Sequence, residues 1–164
     1  MTMPIACTDC SSITHYPRVG QGPDSKTVET IFMEIERENT TQTFGTRREL
    51  FNNLNEILDE YSKPDWDGYG ADPISEAAFL EARKVISALP VNPMLPVPEI
   101  IAEPSGSIAF EWYKGRRQAF IMSVSGKNEI VYSGLFGLNK VHGVEYFSDS
   151  VPSVVISALK RLYS

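Results

Sequence analysis

The pattern of apolar positions changes its period at residue 99 and returns to the first period near residue 150. Before residue 99 apolar side chains recur every three to four residues, and from Glu99 they alternate. The second part therefore predicts strands. Ile100 and Ile101 mark a short first strand, followed by a turn at Glu103-Pro104-Ser105-Gly106. Ile108, Phe110 and Trp112 alternate with Ala109, Glu111 and Tyr113 in a second strand. Lys114-Gly115-Arg116-Arg117 turns the chain, and Phe120, Met122 and Val124 alternate with Ala119 and Ile121 in a third. After Ser125-Gly126-Lys127-Asn128 a fourth strand starts at Ile130 and reaches Ser133 or Leu135. A bend at Gly134 to Gly137 leads to a fifth, Val141 to Phe147. Connections this short make neighbouring strands antiparallel.

The first part reads as helices. Val28, Ile31, Phe32 and Ile35 predict a short helix over Thr27 to Asn39, broken by the β-branched and polar run Thr40 to Thr46 with Gly45. Thr46 and Glu49 have the spacing of a capping box. Leu50, Phe51, Leu54, Ile57, Leu58 and Tyr61 then form one apolar stripe, ended by Lys63-Pro64. A loop, residues 64–73, precedes a helix from about Ser75 to Leu89, with Asp72 a possible cap for a start at Pro73. Phe79, Ala82, Ile86 and Leu89 form its buried face. Four prolines between Pro90 and Pro98 make an extended connector. A last helix, about Ser150 to Leu162, carries Pro152 in its first turn and buries Val151, Val155, Ala158 and Leu162. The expected class is α+β: helices, an antiparallel meander of four to five strands, and a C-terminal helix, with the helices on one face of the sheet. Residues 1–26 read as an irregular or disordered arm and 27–164 as one α+β domain.

Composition narrows the function classes. The 164 residues hold 15 Lys and Arg against 21 Asp and Glu, a net charge of −6. That balance argues against general nucleic-acid or anionic-membrane binding. No apolar run is long enough to span a membrane, and the N-terminus lacks the basic and apolar regions of a secretory signal. Two cysteines cannot build a disulfide framework. The expectation is a cytoplasmic protein.

Candidate chemistry is thin. Cys7, Cys10 and His15 are three zinc-type donors where a structural site takes four, and no second pair follows. Free thiols on the arm are the simpler reading. Asp65 and Asp67 fit positions 3 and 5 of a calcium loop with Gly68 at 6, but Lys63 and Ile74 then occupy positions 1 and 12. A structural loop fits better: Gly68 and Gly70 permit positive φ, and Trp66 and Tyr69 pin it to the core. His142 is the one histidine of the folded region. As a base it would need Asp67, Glu111 or Glu145, or a hydroxyl such as Ser133, within hydrogen-bond reach. Glu145 lies three positions away and points to the opposite face. No nucleotide, metalloprotease or nucleophile-elbow motif occurs, and no cofactor is expected. Lys114, Arg116 and Arg117 crowd one hairpin tip beside Trp112 and Tyr113, a cation-plus-aromatic recognition surface. Between Glu34 and Glu60 seven carboxylates face three arginines.

Trp66-Asp67-Gly68-Tyr69-Gly70-Ala71 with Pro73-Ile74, and Gly106-Ser107-Ile108-Ala109-Phe110-Glu111-Trp112-Tyr113, resemble motifs of a family of small bacterial proteins of no established activity. The resemblance extends to Gly134-Leu135-Phe136-Gly137 and His142-Gly143, covering about Glu49 to the C-terminus. It implies a setting near defence or toxin–antitoxin loci. The expected function is a protein-binding module, antitoxin-like or defence-associated, whose partner is another protein. A small hydrolase or nuclease-like enzyme using His142, and a structural subunit or homodimer, are the alternatives. Charge sharpens the first reading: acid concentrates in the helices and a basic corner projects from the sheet.

Overall fold

The computed structural model describes residues 23–90 and 95–164. Cys7, Cys10, His15 and nearly all of the expected arm lie outside the described residues. Two compact units divide within the first helix, one ending at Glu38 and the other running Asn39–Ser164. The site described below belongs to the second.

Helix α1 runs Pro23–Glu60 without interruption. It corrects the expected break at Thr40 to Thr46 and the separate start at Thr46. Threonine costs a few tenths of a kcal/mol in a helix and an exposed glycine such as Gly45 about 1 kcal/mol. Neither forbids continuation, because each added residue also adds a backbone bond. Proline does forbid it, and prolines stand at both limits: Pro23 opens the helix and Pro64 follows its end. The helix also begins four residues before the expected boundary at Thr27.

Helix α2, Glu76–Ala88, is capped by Ser75, whose hydroxyl accepts the Ala78 N–H at 3.0 Å. The helix starts at Ser75 as its span predicts, and Asp72 does not cap it from a start at Pro73. Asp72 is engaged elsewhere: its N–H donates to the Pro104 carbonyl and it bridges Ser105. Helix α3, Ser153–Tyr163, begins one residue after Pro152, whose carbonyl accepts the Val155 and Ile156 N–H groups.

Five strands form the expected antiparallel meander, in spatial order β1 to β5: Glu99–Ala102, Ile108–Gly115, Gln118–Val124, Glu129–Phe136 and Asn139–Tyr146. Alternation decides which face is covered. Ile108, Phe110, Trp112, Phe120, Met122, Val124, Ile130 and Tyr132 share one core with Leu50 and Leu54 of α1, Val85 and Ile86 of α2, and Val155, Leu159 and Leu162 of α3. All the helix contributions fall on that one face. The other face carries Ile101, Glu111, Tyr113, Ile121, Val131, Ser133, His142 and Val144, and no helix lies over it among the described residues.

Two glycines shape the covered face near β5. A Cβ at Gly134 would stand 2.7 Å from the Phe136 ring, and one at Gly143 would stand 2.6 Å from the Tyr132 hydroxyl. Their bare backbones let those rings lie flat on the sheet, the arrangement that rescues strand glycines elsewhere. Gly134 therefore sits inside β4, and the expected bend is confined to Gly137, at φ +67. Trp112, Phe120 and Tyr132 continue the aromatic layer across three strands, with successive ring centroids 6.1 Å apart.

Candidate functional site

A meander sends alternate turns to opposite ends of its sheet. The turn after β1 and the turn after β3 share one end, and the turns after β2 and β4 share the other. The two ends differ in chemistry.

At the first end the loop 64–75 is tied down by its own polar groups. Asp67 Oδ1 accepts the N–H groups of Tyr69 at 2.8 Å and Ala71 at 3.1 Å, and Asp65 Oδ1 accepts that of Gly70 at 2.7 Å. The Trp66 indole donates to the Asp72 carbonyl at 3.0 Å and packs edge-on against Tyr61, 4.6 Å between centroids. Burial, then the charge and hydrogen bond of Glu60, raises the Tyr61 hydroxyl above its ordinary 10.0. Gly106 approaches so closely that a Cβ there would stand 2.6 Å from the Pro73 carbonyl oxygen. Buried Glu81 of α2 accepts the Gly126 N–H, and a Cβ at Gly126 would collide with Ala77 at 2.4 Å. One oxygen of each of Asp65 and Asp67 is spent on the backbone, which accounts for the loop without a cation, and no metal-ligand cluster occurs among the described residues. Trp66 pins this loop as expected. Tyr69 does not, since it is 94% exposed.

The second end carries unpaired cations. Lys114, Arg116 and Arg117 project from the β2–β3 tip. A register shift between Tyr113 and Gly115 leaves Lys114 outside the ladder. The Gly137 N–H donates to the Arg117 carbonyl at 2.7 Å, so the two hairpin tips lie side by side. That contact adds Lys140 from β5, and α3 adds Lys160 and Arg161 in its last turn. Arg161 lies over the Phe136 ring at 4.6 Å and Lys114 over the Tyr163 ring at 5.9 Å. Burial raises the Tyr163 hydroxyl above its ordinary 10.0. All six cations are exposed, and none is ion-paired among the described residues. Arg117 holds φ at +61, a conformation that costs an L side chain about 1 kcal/mol and that glycine adopts freely.

The expected binding residues are thus divided. Tyr113, 69% exposed, stands with Lys114, Arg116 and Arg117 at the basic corner. Trp112 is 3% exposed, and its indole donates to the Pro96 carbonyl at 2.9 Å, so it is a core residue and not part of that surface. Trp66 and Tyr69 lie at the other end of β2, about 26 Å away for eight residues at the usual strand rise. Lys140, Lys160 and Arg161 were not among the expected set. Lys140 joins it through the pairing of β4 with β3, which the alternating turns of a meander imply, and Lys160 and Arg161 through the packing of α3 beside the two tips.

Of the expected catalytic residues, His142 and the hydroxyl candidate Ser133 are brought side by side, on an open groove whose far side includes Glu111, and the rest are not. His142 and Ser133 are direct cross-strand partners, and Glu111 and Ile121 continue that row. Glu111 and His142 are three strands apart, about 14 Å at the usual spacing. Glu145 falls on the opposite face, and Asp67 is in the tied loop. The His142 ring makes no hydrogen bond among the described residues.

No protein-family model, curated protein or solved structure matches the chain. Among the described residues, no helix is long and apolar enough to cross a membrane.

Proposed function

We propose that this chain is a protein-binding module that acts by contact, and that it receives an acidic protein partner at the basic corner. One observation carries the reading. Six of the chain's fifteen basic residues, drawn from two hairpin tips and a helix end, gather without carboxylate partners on a protein of net charge −6. A solubility role would be served equally well by cations spread over the surface. Gathered and unpaired, with exposed Tyr113 beside them, they make a surface of one sign that steers and orients an acidic partner. The strained Arg117 agrees with this, because it holds a charge where glycine would fit more easily. An antitoxin-like or defence-associated role is the setting that the motif resemblance implies.

The test is affinity purification of the full chain from bacterial extract, quantified by mass spectrometry, beside a K114E/R116E/R117E variant. The expected result is a stoichiometric acidic partner that the variant loses and that about 1 M salt releases, since surface charge is then screened within about 3 Å. Equal recovery on the variant, or no stoichiometric partner, overturns the reading. The hydrolase alternative is less favoured, because His142 has Ser133 as its cross-strand neighbour but no hydrogen bond to any of its expected carboxylates among the described residues.

A further inference from the structure

The open face of the sheet carries a like-charge pair. Glu99 of β1 and Glu111 of β2 are direct cross-strand partners on that face, and neither is ion-paired among the described residues. Carboxylates set directly opposite one another destabilise a sheet. The same row continues as Ile121 on β3, Ser133 on β4 and His142 on β5. It therefore runs from two acids at one edge, through an isoleucine on the middle strand, to an imidazole at the other edge. The next row is apolar on both sides of the middle strand: Ile101 and Ala109, then Ser123, then Val131 and Val144. Val131 is 49% and Val144 56% exposed.

Both rows complement themselves under one rotation. A second copy is turned by 180° about an axis along β3 and its open face is laid on the first. β1 then lies over β5 of the copy and β2 over β4, while β3 faces β3. Glu99 meets His142 of the copy, and Glu111 meets the Ser133 hydroxyl, a donor. Ile101 meets Val144, and Ala109 meets Val131. Ile121 falls on the axis, beside a groove of about 380 Å³ that Ala119 and Ser133 help to line. An axis across the strands would instead set Glu99 over Glu99 and leave both acids without a partner.

We infer that two copies of this chain pack open face to open face in this arrangement, as a homodimer with helices outside and two sheets inside. Sheets stacked about 10 Å apart, with strands aligned to within about 30°, are an ordinary packing. Five strands about 4.8 Å apart and roughly seven residues long make a face of about 24 by 23 Å, so two copies cover on the order of 1,100 Å². Specific interfaces begin at about 1,000 Å². Lys114, Arg116 and Arg117 lie at the hairpin tip beyond both rows, so the dimer leaves the basic corner open and is independent of the partner proposed for it.

Sedimentation equilibrium of the full chain from about 1 to 100 μM tests it, the range in which a modest interface associates. A reversible monomer–dimer equilibrium is expected. His142→Glu places acid against Glu99 twice in each dimer and should weaken association about tenfold or more. Adding Glu99→Lys to His142→Glu reverses both charges and should restore association to within about threefold. Within one copy the two positions stand four strand spacings apart, about 19 Å, so a rescue reports contact between copies. Ile121→Glu, on the axis, should abolish the dimer and keep the parent's far-ultraviolet dichroism. If Ile121→Glu fails to fold, the charge pair decides alone. A monomer at the highest concentration overturns the inference, as does a dimer indifferent to His142→Glu and Ile121→Glu. A His142→Glu loss that Glu99→Lys does not restore overturns the two-fold along β3.

Discussion

The two ends of the sheet are built from the same elements, hairpin turns and a helix terminus, and they spend their polar groups in opposite ways. At the end of the 64–75 loop, carboxylates and an indole satisfy backbone groups, glycines permit contacts that no other residue could, and a buried glutamate holds the β3–β4 turn. At the other end six cations have no carboxylate partner among the described residues, and one of them sits in a conformation disfavoured for it. Polar groups consumed inside the fold report on stability. Polar groups left over are available to something outside it. On that ground Asp65 and Asp67 belong to the architecture, although their spacing near two glycines invites a metal reading, and the hairpin tip is the surface on which the proposed function rests.

Substitutions at the two ends should separate these roles. Gly126→Ala should cost the most stability, at least about 3 kcal/mol, because the new methyl meets Ala77 and the backbone at φ +85. Urea denaturation measures it, and a loss below about 1 kcal/mol would mean that the turn moves aside easily. Asp67→Ala should cost about 1–2 kcal/mol by stranding the Tyr69 and Ala71 N–H groups, with no dependence on added calcium. A calcium-dependent loss would return the loop to the metal reading. At the basic end Arg117→Gly should stabilise by about 0.5 kcal/mol, the relief of positive φ exceeding the entropy gained by the unfolded chain. The K114E/R116E/R117E variant should move stability by less than about 0.5 kcal/mol while abolishing partner capture.

The smallest effect is one of pH. The folded-state value of Tyr61 is raised, so folding favours its neutral form. That contribution is complete below about pH 10 and declines as pH rises through the folded value, because the unfolded chain ionises first. Tyr61→Phe should flatten the stability curve above pH 10, and an unaltered alkaline slope would place the cause elsewhere.

The strands were legible because one face of the sheet is covered and the other open, which writes the period of two directly into residues such as Phe120, Ile121 and Met122. Helix α3 was legible for the same reason at a period of 3.6. The continuity of α1 was not, because threonine and glycine at Thr40 to Gly45 lower helix propensity without blocking it, and propensity alone does not set an end. The hairpin tip could be read locally as a cluster of Lys114, Arg116 and Arg117. Its extension by Lys140 and Arg161 depends on register and on where α3 comes to rest. Trp112 was misread as surface because strand alternation gives a side, and only packing tells which side is inside.

The aromatic layer of Trp112, Phe120 and Tyr132 also has a practical consequence. It gives the protein a built-in optical reporter. Tyr132 and Trp112 are two ring contacts apart, so a change in packing along the layer alters excitation transfer from the phenol to the indole and the near-ultraviolet dichroism of the stack. The second indole, Trp66, sits at the far end of the sheet and can be replaced by phenylalanine. In that background every photon emitted by tryptophan comes from the aromatic layer of the core, and the packing of the sheet can be followed in solution without a label.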